Sequence, residues 1–134
     1  MKSHILFFSW VHILFYGCSE KVPTQKDICG KWYGSDSTVC LVLKTDGYFT
    51  ANNLPTFVLP SYVKKEYGDK FSSEGKWTLS EQGRWQIKLI SNDMSFYIPL
   101  SREGQFEEGT RWYLFLWVNQ EEGGERYRFK KILR

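Results

Sequence analysis

From Ile28 onward, apolar residues recur at alternate positions in short runs rich in aromatic and β-branched side chains, and turn residues interrupt them every 8 to 12 positions or so. This period-2 pattern predicts strands near 30–34, 37–44, 47–52, 73–80, 84–91, 95–101, 110–118 and 125–132. Asp46-Gly47 is a strong hairpin signal, and Gln82-Gly83, Ser91-Asn92-Asp93 and Glu122-Gly123-Gly124 are further turns. Short connections make neighbouring strands antiparallel. The expected class is all-β, a sandwich or a barrel.

One connection is long. Pro55 and Pro60 disfavour a central strand between Asn53 and Phe71, and Ser61 to Tyr67 predicts two helical turns that end at Gly68. Phe57, Leu59, Tyr62, Val63 and Tyr67 would either plug one end of a barrel or line the mouth of a binding cavity. The run 111–118 lacks a polar face. Trp112, Leu114 and Leu116 share one side, and Tyr113, Phe115 and Trp117 the other. One side must be covered by the helix of the long connection or remain an aromatic strip for a partner or hydrophobic ligand. Phe57, Tyr62, Trp112 and Trp117 are the candidate ligand contacts.

The first residues follow a different rule. Lys2 precedes an apolar run from Ile5 to Tyr16 that is about 12 residues long, short of the roughly 18 that a spanning helix needs, and Gly17-Cys18-Ser19 follows. Together these residues resemble a bacterial lipoprotein signal. The resemblance implies removal of residues 1–17, acylation of Cys18, a polar tether over 18–27 and a folded domain over 28–134. It also implies lipid anchoring in the cell envelope, with Ser19 favouring the outer membrane. An ordinary secretory leader cut near the same place is the alternative.

Charge and composition narrow the chemistry. The chain carries 18 Lys and Arg against 15 Asp and Glu. The basic residues are scattered, with pairs at Lys64-Lys65 and Lys130-Lys131 read as solvated faces, so nucleic acid is not an expected partner. Both histidines, His4 and His12, fall in the leader. A mature domain without imidazole loses the Ser-His and Cys-His nucleophile pairs and most zinc and haem sites. Glu107-Glu108 and Glu121-Glu122 are the remaining carboxylate pairs, and both lie in turn-like segments where acids stay solvated. The expectation is a non-enzymatic chain with no metal or cofactor. Cys29 and Cys40 form an even pair suited to an oxidising compartment. If Gly34-Ser35 is a two-residue turn, Tyr33 faces Asp36 and Cys29 faces Cys40, which predicts a disulfide; two separate thiols are the alternative.

Gly30-Lys31-Trp32 opens the first predicted strand. With Leu41 to Phe49, Asn53-Leu54-Pro55, Gly75 to Leu79 and Glu125 to Phe129, it resembles the lipocalin-like domains of small bacterial secreted proteins and lipoproteins. The resemblance implies an eight-stranded antiparallel meander barrel with one short helix in the 53–71 connection. It also implies that a basic side chain near the C-terminus, Arg126 or Arg128, packs on Trp32 beside Gly30 and helps close the barrel. The functional expectation is a monomeric envelope lipoprotein that binds a small hydrophobic ligand. The alternative is a protein-binding inhibitor or immunity-type lipoprotein.

Overall fold

The run from Arg126 to Lys131 serves two neighbours, and this nearly closes the barrel. In a computed structural model describing residues 22–92, 94–103 and 111–132, strand β1 (Gly30–Tyr33) begins a meander. It continues through β2 (Cys40–Leu43), β3 (Tyr48–Pro55), β4 (Lys70–Glu81), β5 (Trp85–Ser91), β6 (Met94–Glu103) and β7 (Arg111–Trp117). The predicted eighth strand is split into β8 (Arg126–Arg128) and β9 (Lys130–Lys131). β8 pairs with β7, whereas β9 crosses to β1 and sets Lys131 opposite Trp32. The result is one antiparallel, nearly closed nine-stranded sheet in the order β8-β7-β6-β5-β4-β3-β2-β1-β9. At the crossover, Phe129 is fully buried and its N–H still donates to Leu114 O at 2.9 Å.

The alternation read from the sequence sets the inner wall. Trp32, Leu41, Leu43, Phe49, Ile87, Leu89 and Ile98 are buried, each with outward neighbours before and after it. Trp32, Phe49, Phe71 and Phe129 are the largest fully buried side chains. Phe71 stacks edge-on against Phe96 at 5.4 Å and against Tyr67 at 4.7 Å. Gly75 lets two strands approach, because a Cβ there would meet Ile90 O at 2.0 Å.

Both ends of the barrel are closed. At one end, helix α1 (Gln25–Ile28) lies where a tether was expected. Thr24 and Asp27 form a reciprocal capping box that starts it, and fully buried Ile28 enters the core. At the other end, helix α2 spans Ser61–Tyr67 as predicted, after a 3-10 turn at Thr56–Val58. Val58, Leu59 and Val63 are buried there, while Phe57 and Tyr62 stay exposed. This part of the connection is a plug.

Two local expectations are corrected. β1 and β2 are joined by a six-residue loop closed by Gly34 N–H to Val39 O, not by Gly34-Ser35 alone. Tyr33 therefore faces Cys40, and Gly30 faces Leu43. Cys29 is carried to the far end of the ladder from Cys40, and both are free thiols. β3 also runs on through Pro55, because Asn53 takes a positive φ of 59° at an irregularity that re-registers it on β4.

Candidate functional site

Near the Gly-X-Trp motif the chain builds a small polar assembly. Lys131 has the same inward parity as Phe129, and its Nζ lies 5.8 Å from the Trp32 ring centroid. The ammonium donates to Lys26 O at 3.0 Å and Asp27 O at 3.1 Å, at the C-terminal end of α1. Trp32 Nε1 donates to Ile28 O at 2.8 Å. Burial pulls the Lys131 pKa below its ordinary value, opposed by Asp27 and Cys29. Burial likewise raises the Cys29 thiol, which Lys131 partly offsets. Gly30 leaves room for this arrangement, since at φ +136° a Cβ would stand 2.8 Å from Lys131 Cε.

Arg126 and Arg128, the side chains expected on Trp32, are on the opposite parity and project from the outer wall. There they cover the aromatic row of β7. The Arg126 guanidinium carbon sits 4.2 Å from the Phe115 centroid and 4.9 Å from that of Trp117, and its Nη1 donates to Tyr113 Oη at 2.7 Å. Arg128 stacks on Tyr113 at 3.8 Å. Phe115 is consequently buried although it faces away from the core. The expectation was that the helix of the long connection covers one side of this run or that one side stays an exposed aromatic strip; on this side the cover comes from arginines of β8.

A groove of about 1100 Å³ runs alongside, in the fork where the last strand leaves β1 for β7. Lys31, Tyr33, Arg128, Lys130 and Ile132 line it together with the loop from Gly34 to Ser37. Tyr127 Oη accepts from Ser35 N–H at 3.1 Å and holds that loop to the barrel. Asp36 is the acidic residue of the lining. Its carboxylate accepts from Thr38 N–H at 2.8 Å and from the Thr38 hydroxyl, and these bonds hold its pKa below the ordinary value.

The four candidate ligand contacts do not converge. Phe57 and Tyr62 lie at the plugged end, where Phe57 meets Tyr127 edge-on at 6.3 Å and Tyr62 Oη donates to Ser95 O at 2.5 Å. Trp117 ends β7 on the outer wall, and its buried Nε1 has no hydrogen-bond partner among the described residues. Trp112 is at the other end of β7 with inward parity, under Arg102 at 5.8 Å. Glu121 and Glu122 are exposed in a turn. Cys18, the leader and the Glu107-Glu108 pair lie outside the described residues. Lys131 was missed because its neighbour Lys130 made a solvated pair plausible; the signal that finds it is its parity with Phe129. Among the described residues no helix is long and apolar enough to cross a membrane.

Comparison with protein-family models, curated proteins and solved structures gives no match to this chain. The functional reading therefore rests on the residues themselves.

Proposed function

We propose that this protein is a monomeric, non-enzymatic binding module of the bacterial cell envelope, lipocalin-like in architecture and anchored through an acylated Cys18, that recognises another protein on its outer wall. The observation that carries this reading is where space is found. Trp32, Phe49, Phe71 and Phe129 are fully buried inside the barrel and a helix packs at each end, while a pocket of about 1100 Å³ lies outside, at the fork of the last strand. The nearly closed meander and the seat of Lys131 on Trp32 support the lipocalin-like resemblance. An inhibitor or immunity role fits such a surface, since neither needs a cavity.

Capture of a small hydrophobic ligand is the second reading. It draws on the exposed Phe57 and Tyr62 at the plugged end, which offer apolar surface at a barrel mouth. Native mass spectrometry of membrane-extracted protein from its own host separates the two. A specific protein complex with an empty barrel supports recognition on the wall, and a co-purifying apolar molecule supports the second reading. An unmodified Cys18 in the same intact-mass spectrum removes the anchor.

A further inference from the structure

Outward side chains of β1 and of the chain end paired with it make the floor of the pocket at the fork. Tyr33 faces Lys130, and Ile132 lies beside Lys31 because its N–H donates to Lys31 O at 3.1 Å. The two lysines therefore take one diagonal of this patch, and Tyr33 and Ile132 take the other. Diagonal neighbours on paired strands stand about 7 Å apart, a span that two flexible lysine stems close on one ligand. Among the described residues neither ammonium group has a hydrogen bond or an ion pair. The loop from Gly34 to Ser37 forms one wall, and it is held in place by the fold. Ser35 N–H donates to Tyr127 Oη at 3.1 Å, and a Cβ on Gly34 would stand 2.3 Å from that same oxygen, so glycine is what lets the loop come so close. The Asp36 carboxylate of this wall is turned onto Thr38 and not onto the lysines. Arg128 bounds the pocket on the β8 side, stacked on Tyr113, and is not counted among the cations offered to a ligand.

We propose that this pocket is a binding site for a phosphorylated sugar, with the phosphate shared between Lys31 and Lys130 and the sugar ring laid against Tyr33 beside the Ser37 hydroxyl. The inference goes beyond recognition of a partner protein and does not rest on it, because the pocket is formed within one chain. Two ammonium groups from separate strands reach an anion from two directions, which suits a tetrahedral phosphate with three free oxygens. A planar carboxylate is matched better by the fork of an arginine. The Tyr33 ring and Ile132, which is half exposed, offer apolar surface to the C–H face of a sugar, and the Ser37 hydroxyl has no partner among the described residues. A volume of about 1100 Å³ holds a hexose, its phosphate and bridging water. Nucleic acid needs a track of cations for successive phosphates, whereas the two lysines here converge on one. The same ring phosphate comes from a soluble sugar or from a lipid headgroup.

The test is isothermal titration calorimetry of the full-length protein with glucose-6-phosphate, glucuronate and inorganic phosphate. Glucose-6-phosphate should bind saturably, at least about tenfold more tightly than glucuronate, and more weakly as salt rises. Lys31→Gln with Lys130→Gln should raise its Kd at least about tenfold, because both phosphate-binding cations are lost. Both side chains are exposed, and an unchanged thermal transition confirms that the variant folds. Tyr33→Ser should weaken glucose-6-phosphate more than inorganic phosphate, since only the sugar uses the ring. Lys88→Gln, on the far wall over Tyr97, should leave every Kd unaltered. Co-sedimentation with phosphatidylcholine vesicles carrying phosphatidylinositol-4-phosphate distinguishes the two sources. Vesicle binding that glucose-6-phosphate displaces supports the site with a lipid headgroup as its ligand, and binding of the soluble sugar phosphate without the vesicles supports it with a free one. No saturable binding of glucose-6-phosphate, equal binding of glucuronate, or an unchanged Kd in a folded double-lysine variant overturns the inference.

Discussion

Lys131 Nζ and the Trp32 ring, 5.8 Å apart, join the last strand to the first, and the same ammonium holds two carbonyls of α1. Barrel closure, the end cap and the Gly-X-Trp motif thus meet at one side chain. Gly30 is tied to it by geometry, since a methyl group there would displace Lys131 Cε.

Gly30→Ala should destabilise the fold by about 1–3 kcal/mol, through both the positive φ and the displaced lysine. In the background of Lys131→Ala the clash disappears while the backbone strain remains. The double variant should therefore lose less than the sum of the two single losses. Urea unfolding of the four proteins in this cycle measures the coupling.

Gly75→Ala should be the more severe change. Its Cβ would meet a backbone oxygen, Ile90 O, in the ladder that pairs Lys76 with Ile90, and a backbone atom cannot swing aside as a lysine stem can. A loss of at least about 3 kcal/mol is expected, read from the urea midpoint or from failure to give a native circular dichroism spectrum.

Cys29 and Cys40 should both titrate as free thiols in denatured protein that has not been reduced. In the folded protein at pH 8, Cys29 should react more slowly than an unperturbed thiol, because burial raises its pKa and depletes the thiolate. A mass two hydrogen atoms lighter than the dithiol, under denaturing unreduced conditions, would restore the bridge.

Asp36 sets an acid-side response. Its pKa is lowered in the fold by Thr38, so below the ordinary value the unfolded chain binds the proton more readily than the folded one. The contribution is complete above the unfolded pKa and is lost as pH falls through the folded one. Asp36→Asn should flatten this acid limb in urea midpoints measured from pH 6 down to about 2, and leave the slope above pH 6 unchanged.

The period-2 pattern made most strands legible. The prediction of 84–91 meets β5 at Trp85–Ser91, and the helix expected over Ser61 to Tyr67 is α2 residue for residue. Local chemistry suffices in both places: alternation marks a strand with one buried face, and Pro60 and Gly68 bracket the helix. The α1 turn was hidden by its polar sequence. It forms because Thr24 and Asp27 cap each other and Ile28 finds a core that lies elsewhere in the chain. The groove was hidden as well, since its lining comes from β1, the loop after it and the last strand.

What the amino-acid order settled alone was which side of most strands faces in, because that follows from backbone pleat and side-chain polarity within a few residues; β7, apolar on both sides, was the exception. It even held the answer for Trp32, whose partner had to share parity with Phe129. Which strands meet, and in what register, was decided only in three dimensions. The six-residue loop after Tyr33 separated the two cysteines, and the crossover at Phe129 divided the last strand between β7 and β1. Both depend on closing the sheet on itself, a condition that no local window contains.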